Sequence, residues 1–198
     1  AGDDSQTAYG RQRNLYGNLV ILEHRLPGVS EPVYTLYAHL SEVLVEEGQT
    51  VSSGQEIGRG GMRGDISGST LHCEVRQGGN NPDATRNPEL WLQALPDENG
   101  QPLGALAGRI LDANGNYIDM QNVVLEQLAG PGQPAIEQYY LQTYTDRDLR
   151  GLPPWQESFA IGDLPAGEYQ VTFWLGEAGQ KIVEVQPGKL TVVTFEVK

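Results

Sequence analysis

The sequence predicts an all-β protein, and three observations lead to that prediction. The chain contains 25 Gly and 12 Pro in 198 residues, and these residues interrupt short apolar runs at frequent intervals, as turns do. Within the runs, apolar and polar residues alternate with the period of two that is typical of strands. Because the period of a long amphipathic helix is absent, we expect many short strands joined by turns.

A change in composition predicts two domains. The length fits one large domain or two of about 100 residues. Residues 93–103 are polar and contain both Pro and Gly, which is typical of a boundary loop. We therefore predict domains at 1–95 and 103–198, joined by a linker at 96–102.

Charge and cysteine content exclude several classes of protein. The net charge is −13, which disfavours binding to the phosphate backbone of a nucleic acid. No segment has the run of about 20 apolar residues that a transmembrane helix needs. The single Cys73 cannot form an intramolecular disulfide, and the start at Ala1 predicts a processed or truncated soluble piece.

The first half reads as a compact, twisted sheet of short strands. We predict strands at 16–24, 33–40 and 70–75, with three very short strands within 43–58 around turns at Gly48 and Gly54. A loop rich in Gly, Asn and Pro follows, and Leu90 and Trp91 provide an apolar anchor after it.

Two histidines, His39 and His72, fall on neighbouring predicted strands. Imidazoles held together by a rigid sheet indicate metal binding or acid–base chemistry. Alternation places His72 and Glu74 on one face of their strand, together with Arg76, and Cys73 on the other face with Leu71 and Val75. Cys73 is therefore expected to be a buried small apolar residue. Glu74 could pair either with His72 or with an arginine across the sheet, and His24 is expected to be structural.

The order of these motifs resembles a known family. YGNLVILEH, TLYAHL, V-x-x-G-Q-x-V-x-x-G-Q-x-I-G, LHCEVR and NPELWL, within residues 8–92, are similar to the C-terminal two thirds of LytM/lysostaphin-type zinc metallopeptidases, which cleave peptide cross-bridges of bacterial peptidoglycan. The resemblance implies that His72 matches a zinc ligand and His39 an assisting catalytic histidine. The other catalytic histidine of the family falls on Thr70.

The resemblance also implies what this domain lacks. The upstream His-x-x-x-Asp pair that completes the zinc site in the family has no match in the sequence, and a Thr hydroxyl cannot replace a base that titrates near neutral pH. We therefore expect no zinc or other cofactor in this chain, and no enzymatic activity. The alternative is a zinc endopeptidase whose upstream ligands lie on a segment removed before Ala1.

The second half predicts a β-sandwich of about seven strands, with turns such as Asp112–Gly115 and a β-branched final strand. Its motifs G-R-I-L-D-A-N-G-N and F-A-I-G-D-L-P-A-G-E-Y-Q-V resemble the carboxypeptidase regulatory-like, or transthyretin-like, domain. That resemblance implies an accessory module without catalytic residues.

A pattern in residues 146–157 matches the ligand spacing of a calcium-binding EF-hand loop, but Arg150 occupies a ligand position and Pro153 and Pro154 interrupt the frame. We therefore expect no calcium site there. Trp155 is the best candidate for an exposed aromatic residue, either as a cover over the end of the sandwich or as a platform for a ligand.

Together these features predict an extracytoplasmic protein of a bacterial envelope, secreted, periplasmic or at the cell surface. Its degenerate peptidase-like domain would bind peptidoglycan or an envelope protein through a groove that contains His39, Thr70, His72 and Glu74. A carbohydrate-binding module that uses Trp155 and the tyrosines is a further alternative.

Overall fold

The computed structural model describes residues 1–5, 9–94, 96–145, 149, 151 and 155–197. These residues form an all-β protein, as predicted, with two short 3₁₀ helices, Pro82–Ala84 and Pro88–Leu90. In the described part of the chain, no helix is long and apolar enough to cross a membrane. The predicted linker contains described residues, whereas most of the calcium-like pattern, including Asp146, Asp148 and Arg150, lies outside them.

Contacts divide the chain into two compact units, Ala1–Pro88 and Glu89–Lys198. We call them the N-terminal and the C-terminal unit. The division falls at the short helix Pro88–Leu90, just before the predicted boundary. Whether each unit folds on its own stays a prediction.

The N-terminal unit is a six-stranded antiparallel sheet with the order β1-β2-β3-β5-β6, in which β4 also pairs with β3. Its strands are β1 (Gly2–Asp3), β2 (Asn18–His24), β3 (Val33–Val43), β4 (Gly58–Gly60), β5 (His72–Gln77) and β6 (Thr85–Arg86). The long central strand β3 therefore lies between the strand that ends in His24 and the strand that begins with His72.

Two predictions about this sheet are wrong. Residues 44–57 contain turns and no strand, and the single short strand β4 comes directly after them where three were predicted, because Gly48 and Gly54 both adopt positive φ and reverse the chain after a few residues. Leu71, which was expected to lie on the same strand face as Cys73, precedes β5 and is 57% exposed. Cys73 is half-buried rather than fully buried.

The C-terminal unit is a sandwich of seven strands, which confirms the predicted fold class. Its two sheets have the orders β10-β7-β13 and β12-β11-β8-β9. The pair β7–β13 is parallel and the others are antiparallel. The strands are β7 (Gly104–Leu111), β8 (Asn122–Leu128), β9 (Ala135–Gln142), β10 (Phe159–Leu164), β11 (Gly167–Leu175), β12 (Glu177–Val185) and β13 (Leu190–Glu196).

The cores of the two units differ in size. The C-terminal unit has one large apolar cluster: Leu106, Ile110, Val123, Leu125, Phe159, Leu164, Tyr169, Val171, Phe173, Val185, Val193 and Phe195. The N-terminal unit has two small ones: Tyr16, Leu19, Leu36 and Ala38 in one, and Val20, Leu40 and Val45 in the other. Since Leu19 and Val20 are adjacent in a strand, the small clusters lie on opposite faces of the sheet.

Candidate functional site

A bulge in β3 brings His39 to the same side of the sheet as His72. Ala38 lies directly opposite His72 on β5, so strict alternation would turn His39 to the other face. Instead His39 has φ +62°, and the pairing of β3 with β2 shifts register between Leu40 and Tyr37. Ala38 and Leu40 consequently belong to different core clusters. The bulge redirects the imidazole of His39, whose ring centroid lies 5.7 Å from that of His72.

The positive φ of His39 is held by its surroundings. A left-handed conformation is uncommon for a residue with a side chain and persists where neighbouring contacts enforce it. The backbone N–H of His39 donates to Tyr16 O at 2.9 Å, and Nδ1 lies 2.7 Å from Arg63 O. Because a carbonyl oxygen only accepts, Nδ1 carries a hydrogen and Nε2 of the neutral ring keeps its lone pair.

His72 is oriented by a carboxylate of its own strand. Its Nε2 lies 2.9 Å from Glu74 Oε1, and an ionised carboxylate only accepts, so Nε2 carries the hydrogen. Nδ1 of the neutral ring therefore has the free lone pair. Side chains of metal-binding histidines are commonly fixed by such a carboxylate.

Glu74 in turn is anchored by a fully buried cation. Arg76 donates from Nε to Glu74 Oε2 at 2.8 Å, and its side chain is 0% exposed. The same guanidinium donates to Tyr16 Oη at 3.0 Å, Asn80 Oδ1 at 3.0 Å and Tyr9 O at 3.1 Å. Tyr16 Oη donates to Glu74 Oε1. The alternation predicted for β5 is correct here, and Glu74 pairs with both His72 and Arg76, each two residues away.

This network fixes the protonation states of Glu74 and Tyr16. Burial by itself would raise the pKa of Glu74, but hydrogen bonds from His72 and Tyr16 and the charge of Arg76 lower it to about 2. Burial and the adjacent Glu74 raise the pKa of the Tyr16 phenol. At neutral pH the site therefore contains a charged carboxylate and a neutral phenol that donates to it.

The loops around the site are positioned by one buried acid and two glycines. Asp4 is fully buried and accepts from the backbone N–H groups of Tyr16 and Gly17, both at 2.9 Å. A Cβ on Gly17 would lie 2.4 Å from the carbonyl carbon of Arg63, and one on Gly64 would lie 2.7 Å from Gly17 N. Both positions must be glycine for the Arg63 carbonyl to reach His39.

The donor set does not fit a catalytic zinc ion. Such a site takes three protein ligands and a water, and within the described residues no three His, Cys, Asp or Glu side chains lie close enough together to hold a metal. Thr70 lies exposed before β5, where it bridges to Gly61. His24 lies on the opposite face of the sheet, where Nε2 contacts Thr35 Oγ1 at 2.8 Å.

Sequence reasoning missed Tyr16 and Arg76 as parts of the site. The pattern His72-x-Glu74-x-Arg76 contained a usable signal, because it places an imidazole, a carboxylate and a guanidinium next to one another on one face of a strand. Tyr16 precedes its strand and has no periodic signal. In the C-terminal unit, Trp155 is not the most exposed aromatic side chain: it is 38% exposed, against 56% for Trp174 and 74% for Tyr140.

Comparisons with known proteins found relatives and solved structures that are similar to this chain. ShyA of Vibrio cholerae serotype O1, a peptidoglycan DD-endopeptidase, is 38% identical over 72 residues, which are 36% of this chain and 16% of ShyA. The murein hydrolase activator NlpD of Escherichia coli K12 is 34% identical over 84 residues, 42% of this chain and 21% of NlpD. This chain thus spans a quarter or less of either relative's length. The solved structure of lysostaphin from Staphylococcus simulans aligns with 94% of this chain and 73% of its own, at 16% identity and a TM-score of 0.38.

The resemblance to the regulatory-like family in the C-terminal unit stays a prediction. Part of the N-terminal unit matches a family model. Residues 4–84 match the model of Peptidase family M23, so the N-terminal unit of this chain carries a peptidase M23 domain of the LytM type.

Proposed function

We propose that this chain is an extracytoplasmic protein of the bacterial envelope whose M23 domain binds peptidoglycan without cleaving it. The groove that contains His39, His72 and Glu74 would hold the peptide part of peptidoglycan through hydrogen bonds. A hydrogen bond to the open nitrogen of either imidazole requires no metal.

What carries this proposal is Thr70, which the family resemblance matches to a catalytic histidine and which lies exposed just before β5. A Thr hydroxyl does not titrate near neutral pH, so it cannot take up a proton from an attacking water at that position. By the same resemblance only His72 matches a metal ligand, whereas a catalytic zinc site takes three protein ligands. Binding needs neither the base nor the metal.

The relatives support a role in the envelope and allow a second kind of ligand. NlpD is named as an activator of murein hydrolases, and another relative, 37% identical over 76 residues, is the lipoprotein YgeR of Escherichia coli K12. A non-cleaving M23 domain that contacts a hydrolase is therefore the second candidate. In it, the exposed side chains beside the groove, such as Leu71 and Met62, would meet the partner protein.

An active zinc endopeptidase is the competing proposal, and one observation favours it. His39 and His72 each have one nitrogen fixed as a donor, which leaves His39 Nε2 and His72 Nδ1 as oriented lone pairs. ShyA is named as an endopeptidase. In this case a His and an Asp outside the 198 residues would have to complete the site.

Zinc content and cleavage separate these proposals. After dialysis against metal-free buffer, we expect far less than one zinc per chain and no release of peptides from purified peptidoglycan. About one zinc per chain, lost in His72→Ala and retained in His24→Ala, would overturn the proposal. His24 is the matched control because it lies on the other face of the same sheet.

Binding to insoluble peptidoglycan tests the groove directly. His39→Ala and His72→Ala should each weaken co-sedimentation by about 1 kcal/mol, the usual contribution of one hydrogen bond to a neutral ligand. His24→Ala should bind as the parent chain does. If both groove variants keep full affinity, the groove is not the binding site.

A further inference from the structure

The sheet β12-β11-β8-β9 of the C-terminal unit has an outer face that differs from an ordinary solvated face. The side chains of Val123, Leu125, Val171 and Phe173 point into the sandwich core. Their neighbours in sequence therefore point outward. Across the four strands these outward residues form two kinds of feature, a line of hydrogen-bonded polar side chains and a set of exposed apolar ones.

The polar line consists of Gln138, Glu126, Gln170 and Gln180, and we call it the amide ladder. Glu126 accepts from Gln138 Nε2 at 2.7 Å and from Gln170 Nε2 at 2.8 Å. Gln170 Oε1 accepts from Gln180 Nε2 at 2.6 Å, and Gln138 Oε1 accepts from Tyr140 Oη at 2.8 Å. Each side chain in the ladder is fixed by its neighbour, so little rotamer entropy remains to be lost when a ligand binds.

Apolar side chains flank the amide ladder on the same face. Trp174 and Ile182 are each 56% exposed, and Tyr140 is 74% exposed. Tyr140 lies opposite Val124, which lies opposite Thr172, and Trp174 is two residues beyond Thr172 on the same side of β11. Strand spacing and rise therefore place the backbones of Trp174 and Tyr140 about 12 Å apart. At that separation the two rings would stack on different units of one extended ligand.

Two polar atoms on this face are buried and have no hydrogen-bond partner within the described part of the chain, namely Thr172 Oγ1 and Glu168 Oε2. Thr172 is 6% exposed and lies between the ladder residue Gln170 and Trp174 on β11. A buried hydroxyl without a partner is costly, and side chains that cover Thr172 would have to move for a ligand to reach it. The face thus has an unsatisfied polar group at its centre as well as aromatic groups at its edges.

The charge of the face restricts the chemistry of its ligand. Its charged side chains are Glu126, Glu168 and Glu184, and Lys181 points the other way, with Nζ 2.6 Å from Thr194 O. Because no described cation lies on the face and the chain has a net charge of −13, anionic polymers would be repelled. The fixed amides also differ from the apolar centre of a typical protein interface.

We propose that this outer face is a binding platform for an uncharged, extended polysaccharide chain. Sugar rings present C–H groups on their faces, which stack on Trp174 and Tyr140, and hydroxyl or amide groups at their edges, which exchange hydrogen bonds with the amide ladder. This platform is separate from the groove of the M23 domain, and the proposal does not depend on that groove.

Calorimetric titration of the full chain with two uncharged probes, chitopentaose and cellopentaose, tests the proposal. We expect saturable binding of at least one probe. Trp174→Ala and Tyr140→Ala should each weaken it roughly tenfold, because each removes an aromatic contact. Gln170→Ala should weaken it by a smaller factor. All three side chains are at the surface, and circular dichroism verifies that the variants remain folded.

Two controls make the result specific. Trp155→Ala removes an exposed tryptophan of the same unit outside this face, and His72→Ala removes a groove residue, so both should bind the probe as the parent chain does. The proposal is overturned if neither probe saturates, or if Trp155→Ala or His72→Ala weakens binding while Trp174→Ala does not. A parent chain that dimerises in sedimentation experiments, together with a monomeric Trp174→Ala, would make the face a contact between two copies and would also overturn it.

Discussion

The two units place their polar side chains in opposite locations. In the N-terminal unit the fully buried Arg76 and its partner Glu74 lie beside an apolar cluster of four buried residues that includes Tyr16, and a cluster of three buried residues lies on the other face of the sheet. In the C-terminal unit twelve apolar residues fill the interior, and the hydrogen-bonded polar line, the amide ladder, is on the surface.

This difference determines how the candidate sites relate to stability. In the N-terminal unit the side chain that orients His72 is held by the buried cation, so a change in the network alters both the site and the fold. In the C-terminal unit the proposed platform can be changed without touching the core. The three tryptophans, Trp91, Trp155 and Trp174, all belong to the C-terminal unit, so we use tryptophan fluorescence to follow the unfolding of that unit.

The largest effect should come from Arg76→Ala. It leaves Glu74 as a buried charge without its partner, which costs about 3–5 kcal/mol of unfolding free energy. In urea titrations the loss should appear in far-ultraviolet circular dichroism and leave the tryptophan transition in place. Arg59→Ala, which removes exposed ion pairs to Glu42 and Glu56, should cost about 0.5 kcal/mol or less. Equal effects of the two variants would contradict the importance of the buried network.

A cavity in the larger core of the C-terminal unit should affect the two unfolding signals in the opposite way to Arg76→Ala. Leu125→Ala removes a fully buried side chain, which costs about 2–5 kcal/mol. The tryptophan transition should move to lower urea concentration, and the part of the dichroism signal that comes from the N-terminal unit should stay. If both signals move together, the two units unfold as one, and the comparison fails.

Acid should weaken the N-terminal unit first. The pKa of Glu74 is lowered from its ordinary 4.5 to about 2 in the folded chain, so the stability that its charge contributes is present above the ordinary value. That contribution is lost as the pH falls from about 5 to about 2. Urea titrations along this range should show a steeper decline in the dichroism signal for the parent chain than for Glu74→Gln. Parallel declines would mean that Glu74 is not the titrating group.

The smallest effect should follow a change in the amide ladder. Glu126→Ala removes the acceptor for two surface amides and should shift the tryptophan transition by about 1 kcal/mol or less. A loss as large as that of Leu125→Ala would show that the ladder serves the fold. In that case the rigid polar surface would need no ligand to explain it.

Local patterns were enough to predict the fold class and the order of motifs. Alternation and turn residues act over a few positions, so the strands that contain His24, His39 and His72 could be located from them. The face of the sheet on which His39 lies could not be predicted from these patterns, because a bulge with positive φ interrupts the alternation of side chains along the strand. The resemblance to a family supplied that juxtaposition instead. Contacts between residues far apart in sequence, such as Tyr16 with Arg76, have no periodic signal.

Trp155 and Trp174 show the same limit of prediction from local patterns in the C-terminal unit. A loop with two prolines made Trp155 look exposed, whereas Trp174 sits in a strand that reads as core. Val171 and Phe173 face inward, and because side chains alternate along a strand, Trp174 faces outward. Only the register of four strands shows that the outward residues form one continuous surface.

The parallel pairing of β7 with β13 has a consequence for synthesis of the chain. Ala105 pairs opposite Leu190, so β7 remains without one neighbour until a ribosome has made about 85 further residues. The sheet of the first unit, in contrast, is complete once Arg86 has emerged. The M23 domain can therefore acquire its structure while the sandwich is incomplete and β7 still has an open edge. A pause in translation before β13 is made would leave that edge free to pair with other chains.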